Sequence, residues 1–208
     1  MPPVKLSVLS VVLGLVFGLP HIYGLLKPAA YKAVLRKFPR HTPVGYVLML
    51  LATAWFLANL GQESISDFAS FKPALYGLFA LVGLGACLFL KDLLPVRGLA
   101  VLFLLLGKLM VDTARWVDSD WRLVIVVWAY LWVMAGMWLT VSPWRLRDII
   151  DWSTENEGRI RLLSGARLTF GLLVVILGLT TFRSAEQRKS AWAPVAAPAA
   201  AGSFLGLT

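Results

Sequence analysis

The sequence predicts an all-α, polytopic integral membrane protein with about six transmembrane helices. Three observations predict this class: 59% of the 208 residues are hydrophobic, only 15% are charged, and the apolar residues are gathered into long runs. Each run is close to the ~20 residues that a helix needs to cross a hydrocarbon core, and none alternates as a membrane β-strand would. The predicted spans, within one domain of residues 1–190, are residues 6–26, 43–61, 73–90, 95–114, 123–142 and 162–182.

Several span boundaries carry helix-start signals. Thr42 before Pro43 combines an N-cap with a proline at the first helical position, which predicts the start of span 2. Between spans 5 and 6, Thr154 and Glu157 fit a capping box. That box predicts a helix that begins outside the membrane and runs unbroken into span 6. Residues 191–208 are predicted to be an uncharged Ala/Pro-rich tail. The large apolar side chains that could hold this tail in place are Trp192, Phe204 and Leu205.

The formal net charge of +9 comes largely from basic residues in the connectors between the runs. Anionic headgroups account for basic connectors, so nucleic acid is not predicted as a partner. Cytoplasmic connectors retain Lys and Arg, and these residues concentrate in the first and fifth connectors. Both connectors are therefore predicted to face the cytoplasm, with both termini outside. The basic residues of the two connectors are Lys27, Lys32, Arg36, Lys37 and Arg40, and Arg145, Arg147, Arg159 and Arg161.

A shared pattern in these two connectors predicts a duplicated helical hairpin. In each, a span is followed by a proline (Pro28 or Pro143), a short amphipathic stretch typical of a surface helix, a basic stretch, a glycine (Gly45 or Gly165) and another span. Spans 1 and 2 would then correspond to spans 5 and 6 in the same orientation. The alternative is that any inner-membrane hairpin with a basic loop has this pattern, and the sequence leaves both interpretations open.

Residues 123–182 also carry a family resemblance. The segment contains a span, Pro143 and Trp144, an amphipathic stretch over 146–150, basic residues and a second span with Gly165 and Gly171. This arrangement resembles the YjeT-like family of small two-helix bacterial inner-membrane proteins. The resemblance covers under a third of the chain. It implies a bacterial inner membrane and supplies no catalytic or binding residue.

The most suggestive polar chemistry lies in span 4. Lys108, Asp112 and Arg115 follow one another at spacings of four and three, on one helical face. Charges at bilayer depth are costly and usually face a cavity or a partner, so this row could mark an ion or proton path. The favoured interpretation is that Asp112 pairs with Lys108 near the outer surface and both side chains snorkel there.

Two further groups of residues are candidates for contacts. In the first connector, the basic side chains predict contacts with lipid headgroups, and bound lipids are expected; these are Lys32, Arg36, Lys37 and Arg40. Small residues recur at helical spacing in spans 1 and 6, where they predict a helix-packing face, internal or with a partner subunit; these are Gly14, Gly18, Gly171 and Gly178.

No cofactor is predicted, although two groups of residues have the chemistry to contact one. His21 and His41 could ligate a haem between helices, and the alternative is hydrogen bonding to backbone or headgroups near the span ends. Trp128, Trp132 and Trp138 could form a surface for a pigment, a quinone or another subunit, and the alternative is packing. The single cysteine, Cys87, excludes an internal disulfide and a thiol pair for a metal.

These observations predict a protein without catalytic chemistry of its own. No run carries a metal-ligand cluster, a nucleophile with its base, or a phosphate-binding loop. The predicted function is an accessory or scaffold subunit of a larger membrane complex, packed against other membrane subunits and lipids. The first alternative is a small-solute or ion transporter that uses Lys108 and Asp112. The second is a membrane-embedded enzyme acting on a lipid phosphate held by the first connector.

Overall fold

The computed structural model describes residues 4–62, 71–90 and 92–192, and within these ranges the regular structure is helical. Six of the described helices are long and apolar enough to cross a membrane, which confirms the all-α, polytopic prediction. The helices are α1 (Leu6–Leu26), α2 (Pro28–Lys37), α3 (Thr42–Gln62), α4 (Lys72–Phe89), α5 (Leu94–Ala114), α6 (Arg122–Val141), α7 (Arg145–Ser153), α8 (Glu157–Leu177) and α9 (Arg183–Trp192). The predicted tail anchors Phe204 and Leu205 lie outside the described residues.

The short helices occupy the connectors and the last span end. Helices α2 and α7 fill the first and fifth connectors, and a 3₁₀ turn at Phe38–Arg40 links α2 to α3. A π-helical turn at Gly178–Phe182 joins α8 to α9. The sixth hydrophobic run is therefore the middle of a longer helical rod, because α8 begins five residues before the run and α9 continues beyond it.

Two predicted caps are wrong. Thr42 is the first residue of α3, and the ring of His41 accepts a hydrogen bond from the Val44 N–H at 3.4 Å in its place. Thr154 ends α7 instead of opening α8, because its hydroxyl donates to the Ile150 carbonyl at 2.7 Å. A threonine can bond back to the carbonyl four residues earlier as readily as it caps a following helix, and here the preceding helix provides that acceptor.

The spanning helices pack in an order that differs from their order in the chain. Helix α1 lies along α8, α5 packs between α3 and α6, and α4 packs along α3. The largest core cluster joins α1, α5, α6 and α8. It contains Leu9 of α1, Met110 of α5, Trp128 of α6 and Val174 of α8, all nearly inaccessible. Apolar contact in this cluster holds the four helices together at one level of the bundle.

Helices α2 and α7 lie side by side at one end of the bundle, here called the basic end. Arg36 of α2 and Asp151 of α7 join them through an ion pair of 3.0 Å. The two predicted hairpins are thus alike in having a surface helix at the same end. The packing of the spans is not two-fold symmetric, because α1 lies along α8 whereas α3 and α6, the equivalent pair, make no comparable contact among the described residues.

Helix α9 is tied to the start of α1 at the end opposite the basic end. The Glu186 carboxylate accepts hydrogen bonds from the Ser7 N–H at 3.1 Å and from the Ser7 hydroxyl at 2.7 Å. The first N–H groups of a helix have no partner within the helix, and they carry the positive end of its dipole. Glu186 therefore supplies to α1 the cap that Lys5, its own N-cap residue, does not supply.

Candidate functional site

The predicted polar row of span 4 forms an ion pair on the outside of the bundle. Lys108 Nζ donates to Asp112 Oδ2 at 2.7 Å, and the two side chains are 47% and 48% exposed. Arg115 follows the last residue of α5 and is exposed. The structure therefore brings Lys108 and Asp112 together and leaves Arg115 at the helix end. The depth of the pair in the membrane, on which the two interpretations differ, stays a prediction.

The four predicted packing glycines all lie where α1 contacts α8 or the π-helical turn that follows α8. A Cβ added at Gly171 would stand 2.8 Å from the Gly14 carbonyl oxygen and 3.0 Å from Gly18 Cα. A Cβ at Gly178 would stand 2.9 Å from the Ser7 carbonyl oxygen. Backbone thus meets backbone along this contact, as small residues permit. The glycine face is used inside the chain, so it gives no argument for a partner subunit.

The predicted headgroup contacts divide into two groups. Arg36 and Arg40 line a groove between α2 and α7, together with residues of the fifth connector. Lys32 and Lys37, on the same short helix, are not among the groove residues. The residues that line the groove are Arg36, Pro39, Arg40, Arg147, Ile150 and Asp151. Folding therefore assembles one cationic surface from two connectors that are more than 100 residues apart.

A second polar cluster joins α1, α2 and α8 just inside the basic end. His21 of α1 is 8% exposed, and its Nδ1 donates to the Phe17 carbonyl at 2.7 Å, which leaves Nε2 as the acceptor. Arg167 Nη1 of α8 lies 3.5 Å from that Nε2. Burial raises the pKa of the Tyr31 phenol on α2, and the neighbouring Arg167 guanidinium opposes this rise. The cluster links the surface helix α2 to the α1–α8 pair.

An aromatic cluster continues from this polar cluster toward the bundle interior. The ring centroid of Phe17 lies 5.3 Å from that of Trp128, which lies 5.1 Å from that of Phe170. Trp132 contacts Trp128 at 5.4 Å and Phe103 at 4.7 Å. The three contacts of Trp128 are edge-to-face, and such contacts stabilise packing by about 0.5–1.5 kcal/mol each beyond area burial. Trp128 and Trp132 therefore pack within the protein, whereas Trp138 is 53% exposed.

The two histidines bond to the backbone of their own surroundings. His21 bonds to Phe17, and His41 bonds to Val44 at the start of α3. Each histidine therefore makes the kind of backbone hydrogen bond that was given as the alternative to haem ligation. Among the residues described, there is no group of three His, Cys, Asp or Glu that could hold a metal ion.

Arg167, Arg147 and Asp151 belong to polar clusters that were not predicted from the sequence. Arg167 could have been found from the sequence, since it is an arginine within the hydrophobic run 162–182. For Arg147 the sequence provides a weaker indication, because the two connectors with the same surface-helix pattern were predicted on the same side of the membrane. For Asp151 it provides no indication, since an acidic residue on an exposed helix usually faces solvent.

The fold and these clusters define a polytopic α-helical membrane protein with a packed apolar cluster and a cationic groove at one end. Comparison of the chain with protein-family models, with curated proteins and with solved structures gave no match. The resemblance of residues 123–182 to the YjeT-like family stays a prediction.

Proposed function

We propose that this protein is a non-catalytic accessory or scaffold subunit of a larger membrane complex in a bacterial inner membrane. The basic end would face the cytoplasm, as the Lys and Arg of the first and fifth connectors indicate, and both termini would lie outside. The observation that carries the proposal is the position of α4 at the edge of the bundle. Its one extensive helix contact, among the residues described, is with α3.

Helix α4 has one packed face and one open face. Its packed face contacts α3 where Phe79 lies 4.7 Å from Phe56, and where Gly83 lies against Thr53. On the other side, a Cβ added at Gly77 or at Gly85 would meet no atom within 4 Å.

The open face has the composition of a helix–helix contact. Leu81, which lies between Gly77 and Gly85 at helical spacing, is 71% exposed. Small residues on a membrane helix allow a second helix to approach closely, and Gly77 and Gly85 lie about two turns apart on this face. Gly83, on the packed face, already serves this purpose toward α3. A partner helix on the open face would bury α4 on both sides.

The double substitution Gly77→Leu with Gly85→Leu tests this role. We expect the variant to fold and insert normally, because both sites are open, and to lose the membrane proteins that purify with the wild type in a mild detergent. The measurement is mass spectrometry of native complexes isolated through a tag. Ala166→Leu with Thr169→Leu is the matched control, since it adds bulk to exposed positions of α8. A wild-type protein that purifies alone, or equal loss in the control, would count against the proposal.

The transporter alternative depends on Lys108 and Asp112. It would need a polar cavity at mid-depth and a discontinuous helix, whereas the pair is half exposed and α1 is helical through Pro20. We expect Lys108→Gln with Asp112→Asn to change the free energy of unfolding by less than about 1 kcal/mol, because exposed ion pairs contribute little. Thermal unfolding in detergent measures the stability, and growth of the host reports whether function is retained. Unchanged stability with loss of solute or ion uptake would favour the transporter instead.

A further inference from the structure

The groove between α2 and α7 is large enough to hold a small polar group. It has a volume of about 430 Å³ at the basic end. Buried Pro39 and Ile150 form its apolar part, and three arginines with one aspartate form its polar part.

The charges of the groove favour an anion. Asp151 is engaged by Arg36, whose Nε lies 3.0 Å from its Oδ1, so this acid orients one arginine. Arg40 and Arg147 are exposed, and neither pairs with an acidic residue in the described part of the chain. Three guanidinium groups against one carboxylate leave an excess of two positive charges. Guanidinium groups offer paired N–H donors that match the oxygens of a phosphate group.

The surroundings of the groove indicate its depth in the membrane. Helix α7 exposes Ile149 and Trp152, and Trp144 precedes its first residue and is half exposed. Amphipathic surface helices bury such side chains at the boundary between headgroups and acyl chains, where tryptophan is enriched. The arginines of the same helix pair then lie at the level of lipid phosphates.

We propose that this groove is a phosphate-binding site that holds the headgroup of an anionic phospholipid, with Arg40 and Arg147 as the principal contacts and Arg36 held in position by Asp151. The site is built from the first and fifth connectors and requires no partner subunit, so it is independent of the role proposed for α4. The same chemistry would also accept a phosphate group on a soluble molecule, and the experiment separates these two sources.

The test is native mass spectrometry of the full-length protein with phosphatidylglycerol, phosphatidylcholine or inorganic phosphate added in detergent. We expect wild-type protein to retain phosphatidylglycerol at least about 10-fold better than phosphatidylcholine, and Arg40→Gln with Arg147→Gln to abolish that preference. Lys37→Gln with Arg145→Gln is the matched control. It also removes two positive charges, one from each of the same two connectors, but at residues outside the groove.

Each outcome bears on the proposal. Loss of the preference in the groove variant alone, with inorganic phosphate unable to displace the lipid at millimolar concentration, supports a lipid site. Displacement of phosphatidylglycerol by inorganic phosphate would assign the groove to a soluble phosphate and overturn the lipid headgroup. Equal losses in both variants would show attraction to net charge only and overturn the site itself. Intact thermal unfolding of the groove variant shows that it is folded.

Discussion

Gly171→Leu is expected to separate α1 from α8 and to cause a large loss of stability. The new Cβ would stand 2.8 Å from the Gly14 carbonyl oxygen and 3.2 Å from the Gly18 backbone nitrogen, and the rest of the side chain would need still more room. Backbone atoms on a continuous helix cannot move aside as a flexible side chain does. Overpacking costs about 1–3 kcal/mol where neighbours can adjust, so we expect at least the upper end of that range.

The measurement is thermal unfolding of the purified protein in detergent, with Gly85→Leu as the control. Gly85 is also a glycine of a spanning helix, but a Cβ there meets nothing within 4 Å, so the same change should leave unfolding nearly unaltered. An unfolding temperature for Gly171→Leu equal to that of the control would contradict the α1–α8 contact. Gly14→Ala should give an intermediate loss, because its Cβ alone would stand 2.6 Å from the Gly171 carbonyl oxygen.

This contact also connects the two ends of the bundle. Toward the basic end, the α1–α8 pair carries the cluster of His21 and Arg167. Toward the other end, the same pair carries the bonds between Ser7 and Glu186. Both polar contacts depend on α1 and α8 lying close along their length, which the glycines permit. Loss of the glycine contact is therefore expected to weaken the polar contacts at both ends together.

The spanning helices could be predicted from the sequence because lipid constrains them strongly. Backbone polar groups in the hydrocarbon core must be bonded within the helix, so an apolar run of about 20 residues has one structure available. The start of α8 before the hydrophobic run was predicted from the Thr154 and Glu157 pattern, although Thr154 does not cap it. The continuation through Gly178–Phe182 into α9 was not predicted, since hydropathy reports contact with lipid and not helicity in water. Helices α2 and α7 were predicted from their amphipathic pattern, which is the same physical signal at the membrane surface.

The candidate site was predicted only in part because tertiary packing brings its residues together from distant parts of the chain. Arg36 and Arg40 could be named from the first connector alone, but their neighbours Arg147 and Asp151 come from the fifth connector. Likewise, His21 was considered for ligation without its neighbour Arg167, which is 146 residues away in the chain. Hydropathy assigns each span without assigning its neighbours, and α1 packs with α8, not with the span that follows it. The arrangement of the helices in space could therefore not be predicted from the sequence.

Gly98→Leu is expected to part α3 from α5 and to release the α3–α4 pair from the rest of the bundle. A Cβ at Gly98 would stand 2.8 Å from the Met49 backbone nitrogen and 3.0 Å from the Leu48 carbonyl carbon. As at the α1–α8 contact, backbone is the obstacle. The junction below it is apolar and buried, with Met49 of α3, Cys87 of α4 and Leu94 of α5 in one cluster. Separation of α3 from α5 must open that cluster.

The only cysteine of the chain reports this opening directly. Cys87 is 6% exposed in the folded protein, so it should react slowly with a maleimide reagent. If Gly98→Leu destabilises the junction by about 1.4–3 kcal/mol, the open population and the labelling rate should rise by about 10-fold to 100-fold.

Gly171→Leu is the matched comparison, because it strains α1 and α8, which lie outside the Cys87 cluster. Rapid labelling in Gly98→Leu but not in Gly171→Leu, below the unfolding temperature of either, would show that the two contacts stabilise separate parts of the bundle. Equal labelling in both variants would mean that the bundle opens as one unit, and slow labelling in Gly98→Leu would contradict the close approach of α3 and α5.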